Sequence, residues 1–321
     1  MRPLTPGGAA RPGFTLIELM VTMTMMVVVG AAVVSVFNSQ QRFTRAAADV
    51  GDLRTQLQTA TAVLPAELRN ISATGNDIIS MSDSSIAIRS TIVSSVVCSF
   101  VGTTQVTLAP SGAIPTTTPV GPSGTMRLTS VAMDPAGGDE AFIWDDGPQG
   151  MLSDDTWLSA ANAPYAITGA VKTPGACAAT YAPAGNTRDA YVLTIAGATP
   201  LRGTLTAGSA VRITRGAAYG LYQSDLDSKW YLGYRTLGAA DYDYIAGPFL
   251  DYDPSAQSGF RFQYFDATGA EITNYAATAT VARVEITARA RTAAPVSLSG
   301  QPNHKLQEDS LRIGIALRNR N

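Results

Sequence analysis

The sequence predicts an α+β protein: one long amino-terminal helix, part membrane span and part amphipathic stalk, packed on a mainly antiparallel β-sheet head. Three observations carry this expectation. The run from Leu19 to Gln41 contains no charged residue. Apolar residues then recur at three- and four-residue steps as far as Leu64, the spacing of one helix face. From Asp77 onward the pattern changes to alternation, the period of a half-buried strand.

The helix is expected over residues 14–64, where no proline occurs. A single rod about 75 Å long is the simplest outcome. Its uncharged part, at ~1.5 Å rise per residue, is long enough to cross a hydrocarbon core ~30 Å thick. Thr22 and Thr24 sit among Met23, Met25 and Met26. Threonine hydroxyls bond back to the preceding turn and methionine packs adaptably, so neither interrupts the span. Farther on, Phe43, Ala46, Ala47, Val50, Leu53, Leu57, Ala60 and Leu64 share one face, with Arg45, Asp49, Asp52, Arg54 and Gln56 on the other. Pro65 is expected to end the helix, and the segment from Pro65 to Ile71 to form a short second helix with proline at its first position.

The head is expected over residues 65–321. Ile86 and Ile88 alternate in its first strand, and Val96, Val97 and Cys98 follow. Shorter strands are expected at Val211–Ile213, Tyr219–Tyr222 and Trp230–Tyr234. Phe260, Phe262 and Tyr264 line one side of another, which turns at Asp266–Gly269. Val284, Ile286, Ala288 and Ala290 face away from Arg283, Glu285, Thr287, Arg289 and Arg291. Leu311, Ile313, Ile315 and Leu317 repeat this pattern, with Arg312 and Arg318 outward. Residues 109–124, rich in proline, glycine and threonine, read as a loop or linker.

Composition narrows the function. The chain of 321 residues carries a formal net charge of −2, with no basic surplus to attract nucleic acid. His304 is the single histidine, which rules out a multi-histidine metal site and reads as an exposed loop residue. No glycine-rich phosphate loop, nucleophile elbow or metal-spaced cysteine and histidine set is present, so no enzyme activity is expected. Cys98 and Cys177 are the only cysteines. An even count suits one disulfide in an oxidising compartment, the alternative being two buried thiols. No cofactor is expected. Asp225, Asp227, Asp241, Asp243, Asp251 and Asp253, with Asp145, Asp146, Asp154 and Asp155, invite a structural calcium site. None of them follows the twelve-residue loop pattern with its closing glutamate, and turn formation explains them equally well. Trp230, Tyr231, Tyr234, Tyr242, Tyr244 and Tyr252 lie among these aspartates, as sheet packing or as a contact surface.

Glu18 is the anomaly. It opens the uncharged run, and the cations before it, Arg2 and Arg11, lie upstream. A carboxylate at the mouth of a membrane helix is costly unless paired. The positive-inside rule places the amino terminus in the cytoplasm and the head outside. A secretory signal cut near Ala31-Ala32 is an alternative, but it leaves Glu18 unexplained. A carboxylate in the first turn also complements the helix dipole.

The segment Gly13-Phe14-Thr15-Leu16-Ile17-Glu18-Leu19 resembles the processing site of the type IV pilin-like family. The resemblance implies removal of residues 1–13 by a prepilin peptidase that cuts between Gly13 and Phe14 and methylates the new Phe14 amine. It further implies that Glu18 of one subunit faces the Phe14 amine of its neighbour during assembly. The other partners implied are pilins or pseudopilins, met through the amino-terminal helix, and the bacterial inner membrane. The segment after Pro65, the Cys98 segment and the terminal run from Asp309 to Asn319 resemble PilW-type minor pilins and J-type minor pseudopilins. The expected function is that of a minor pilin, with a type II secretion pseudopilin or a stalk-presented adhesin as alternatives.

Overall fold

The computed structural model describes residues 15–111, 114–116, 124–148, 151–177, 188–254, 258–292, 295 and 305–317. Gly13, Phe14, His304 and Arg318 lie outside these residues. One helix, α1 (Leu16–Leu68), precedes a run of strands. The chain divides into two compact units, Met1–Thr55 with Arg291–Asp309, and Gln56–Ala290 with Ser310–Asn321.

In the first unit the apolar side chains from Leu16 to Phe37 are exposed, Leu16 by 80% and Met26 by 78%. The threonines behave as their chemistry requires: Thr22 Oγ1 donates to the Leu19 carbonyl at 3.0 Å and Thr24 Oγ1 to that of Met20 at 3.1 Å. Ala46 and Leu53 are buried, whereas Phe43 and Ala47 on the same stripe stay exposed. A helical stripe marks a face able to be covered, and a single chain does not cover all of it. Arg54 meets Asp309 at 3.7 Å, an exposed pair that contributes little.

The helix does not stop at Pro65, and no separate second helix forms. It runs through the proline to Leu68, one more turn than expected. Proline removes one backbone bond and crowds the preceding turn, at ~3 kcal/mol. Here Leu64, Pro65 and Leu68 are all buried, and that burial offsets the cost. The Arg69 N–H donates to the Pro65 carbonyl at 3.1 Å, and Asn70 Nδ2 caps the Ala66 carbonyl at 3.0 Å.

In chain order the strands are β1 (Ile78–Met81), β2 (Ser85–Val101), β3 (Gln105–Leu108), β4 (Ile114–Thr116), β5 (Gly124–Met126), β6 (Ser130–Val131), β7 (Glu140–Ile143) and β8 (Tyr165–Pro174). There follow β9 (Asp189–Ile195), β10 (Ala210–Gln223), β11 (Trp230–Thr236), β12 (Asp243–Phe249), β13 (Phe260–Phe265), β14 (Arg283–Arg291) and β15 (Glu308–Ala316). The main sheet has ten strands in the order β1-β2-β3-β9-β8-β7-β10-β11-β12, with β6 beside β2. Its pairings are antiparallel, led by β2 with β10 from Ala210↔Val96 to Gly220↔Ser85. A second sheet runs β13-β14-β15.

The helix end packs on this head. Leu57, Ala60, Leu64 and Leu68 are buried, and Ser90 Oγ on β2 donates to Glu67 at 2.5 Å. A core of Val93, Val97, Val106, Ile143, Ile167, Leu193, Val211 and Ile213 joins the middle strands. The alternation expected for the last strands holds: Phe260, Phe262, Tyr264, Val284, Ile286, Ala288 and Ala290 are buried. Asp266 Oδ1 accepts from the Thr268 and Ala270 N–H groups and closes the expected turn.

Two local readings need correction. Val211–Ile213 and Tyr219–Tyr222 are one strand, β10, continuous through Arg215 and Gly216. Residues 109–124 are not all loop: β4 pairs antiparallel with β5 from Ile114↔Met126 to Thr116↔Gly124. A two-stranded ribbon is all edge, so proline in it interrupts no inner ladder.

The aromatic group belongs to β10, β11 and β12. Gly220 and Gly233 are direct cross-strand partners. A Cβ on Gly233 would lie 2.7 Å from both Tyr222 Cε1 and Tyr242 Cβ. The missing side chains leave a trough filled by the stacked Tyr222 and Tyr242 rings, centroids 5.4 Å apart, with Arg235 4.8 Å above Tyr242. Tyr231 packs edge-on against Tyr244, which stays 60% exposed. Gly233→Ala is therefore expected to destabilise the head by about 1–3 kcal/mol through overpacking. A urea midpoint equal to that of the parent chain would contradict this.

Candidate functional site: the start of the helix and the braced head

Thr15 and Glu18 form a capping box at the first turn. The Thr15 N–H donates to Glu18 Oε2 at 3.0 Å and Thr15 Oγ1 donates to the same oxygen at 3.0 Å. Glu18 N–H lies 3.3 Å from Thr15 Oγ1 in return. A helix start leaves N–H groups without intrahelical partners, and this reciprocal pair satisfies them. Both bonds from Thr15 to the carboxylate end on Oε2, so Oε1 is uncommitted among the described residues. Glu18 is exposed, on a helix whose apolar side chains are exposed from Leu16 to Phe37. The pattern Thr15-x-x-Glu18 is the sequence signature of a capping box, a signal that would have singled out Thr15 and was missed.

Cys98 on β2 and Cys177 just after β8 are disulfide-bonded, Cα to Cα 5.9 Å, closing a sequence separation of 79. Both sulfurs sit with Ala190 in a small buried cluster. In the strand order β2-β3-β9-β8 the bond ties β2 to the end of β8 across the two strands between them.

Two of the aspartates considered for calcium have other partners. Asp227 accepts from Tyr231 Oη at 2.7 Å, a bond that holds its carboxyl below the usual range, and Lys229 lies 3.7 Å away. Asp145 accepts from Thr204 Oγ1 at 2.6 Å. Among the described residues no group of three or more histidine, cysteine, aspartate or glutamate side chains could hold a metal ion.

A feature that the linear reading missed lies on β10. Asp77, fully buried, accepts from Arg212 Nη1 and Nη2, both at 2.8 Å, and from Ser72 N–H at 2.7 Å. The Arg212 guanidinium rests on the Phe142 ring at 4.6 Å. These residues are too distant in sequence for any spacing to announce the pair.

The helix is long and apolar enough to cross a membrane. Residues 9–34 match the family model described as the prokaryotic N-terminal methylation motif. The match supports a type IV pilin-like or pseudopilin subunit, a structural role rather than an enzymatic one. It implies processing by a prepilin peptidase and assembly with other pilins, and with the apolar helix it fits a precursor anchored in the inner membrane. Neither curated proteins nor solved structures match the chain.

Proposed function

We propose that the chain is a minor type IV pilin, cut after Gly13 and N-methylated at Phe14. The carrying observation is the methylation motif over residues 9–34, which runs into an exposed apolar helix that continues into a braced β head. Arg2 and Arg11 hold the amino terminus in the cytoplasm, so the head lies in the periplasm before assembly and in the filament after it. The Glu18 carboxylate of one subunit takes the Phe14 ammonium of the next. Large heads at every step of a tightly wound filament crowd one another, which favours the tip or a priming role over the shaft.

Peptide mass of the mature amino terminus tests the processing. The expected peptide begins at Phe14 and is one methyl group heavier than its sequence. A chain that keeps Met1, or one cut near Ala32, removes the assignment. Deletion then separates the systems. Loss of surface filaments is expected for a pilin, whereas loss of enzyme secretion with filaments intact assigns the subunit to a type II secretion pseudopilus. Filaments that remain but no longer adhere assign it to an adhesin role.

A further inference from the structure

A cleft of about 810 Å³ opens in the second compact unit, between the segment after α1 and the loop that follows β7. Its size falls in the range of small-molecule sites. Asn70 and Asn76 line it from the segment after α1, Asp155 and Trp157 from the loop, Phe142 from β7 and Arg212 from β10. We propose that this cleft binds a neutral carbohydrate, whose ring stacks on Trp157 while its hydroxyls bond Asp155, Arg212 and the asparagines.

Four observations lead there. Trp157 keeps 39% of its surface exposed although Trp144 packs against it, centroids 5.2 Å apart, so the ring is both fixed and available. Aromatic rings with a polar surround suit a ligand with one apolar and one hydroxylated aspect. Asp155 Oδ1 is shielded from solvent and has no hydrogen-bond partner among the described residues. Burial first, then the charges of Asp146, Asp154 and Asp145, push its carboxyl pKa up. A carboxylate with one oxygen left without a donor is under-satisfied, and a ligand hydroxyl donating from the cleft, which Asp155 lines, would ease that cost.

Arg212 is a preorganised donor. Asp77 holds it by two bonds and Phe142 supports its face, so little freedom is lost when a ligand arrives. Asn70 commits its Nδ2 to the Ala66 carbonyl, which leaves its side-chain oxygen as an acceptor. The charged side chains that line the cleft also select. Arg212 opposes a cationic ligand and Asp155 an anionic one, whereas a polyhydroxyl compound donates to one and accepts from the other. The inference is independent of which filament carries the head.

The test applies the full-length protein in detergent micelles to a printed glycan array. Retention on a subset of glycans is expected. Trp157→Ala and Asp155→Asn are each expected to weaken it ~10-fold or more, with Trp157→Tyr keeping part of the affinity. Unchanged far-UV circular dichroism shows that the variants are folded, and Leu226→Ser, at a residue 99% exposed outside the cleft, should bind as the parent does. Three results overturn the proposal: no retained glycan, retention indifferent to both cleft variants, or tryptophan quenching by a trilysine amide with none by the glycans.

Discussion

Glu18→Ala is expected to leave cleavage after Gly13 and methylation of Phe14 intact while abolishing entry of the mature chain into filaments. The magnitude follows from where the charge sits. An ion pair at 4 Å is worth ~1 kcal/mol in water and ~4 kcal/mol at an effective dielectric near 20. Between apolar helices the larger figure applies, and ~4 kcal/mol is roughly a thousandfold in subunit incorporation. The capping box supplies a smaller, separable contribution, because both bonds from Thr15 end on Oε2. Losing a cap costs about 1 kcal/mol, so Thr15→Ala should reduce incorporation only about fivefold. Glu18→Gln keeps an oxygen for the Thr15 bonds and removes the charge. It should therefore fail as Glu18→Ala does, with Glu18→Asp between the parent and the alanine variant. Immunoblots of sheared filaments against the membrane fraction measure all four variants. Incorporation of Glu18→Gln at the parent level would reduce Glu18 to a local cap.

Much of this helix was legible because its determinants are local. The uncharged run and the three-to-four-residue stripe both depend on neighbours within one turn or two. The error at Pro65 has the opposite cause. Local rules stop a helix there, whereas Leu64, Pro65 and Leu68 are buried together and carry it one turn further. The exposed Phe43 shows the same limit from the other side, since a stripe predicts a face and leaves its cover unspecified.

In the head, β13 and β14 were readable because one face is buried and the other is polar. Strand β10 was not. Its middle carries Arg215 and Gly216, which look like an interruption in one dimension. In three dimensions Arg215 pairs with Asp139 at 2.7 Å, and Gly216 makes room for Leu237, whose Cβ would lie 2.8 Å from an added side chain. The Asp77 and Arg212 pair and the cleft beside it are contacts of the same kind, assembled from segments far apart in the chain.

Removing the disulfide is expected to produce the largest loss of stability in the head. The bond closes a sequence separation of 79, for which the chain-entropy relation gives about 4.5 kcal/mol. That is a large share of the roughly 5–15 kcal/mol by which folded domains exceed their unfolded chains. Its placement makes the loss matter to the whole sheet. Cys98 lies near the end of the long strand that pairs with β10, while Cys177 follows the strand that pairs with β7 and β9. The loop it closes therefore contains β3 and β7, whose partners β9 and β10 come later in the chain. With the bond in place, the unfolded chain keeps the two sides of the sheet near each other; without it, each pairing must be found from an open coil. Cys98→Ser with Cys177→Ser should shift the urea midpoint of the full chain down by roughly 1.5–2 M, read by tryptophan fluorescence. The reduced parent chain should behave the same way. Coincident midpoints for the oxidised and reduced chains would show that the brace is dispensable, and that the buried strands hold the sheet on their own.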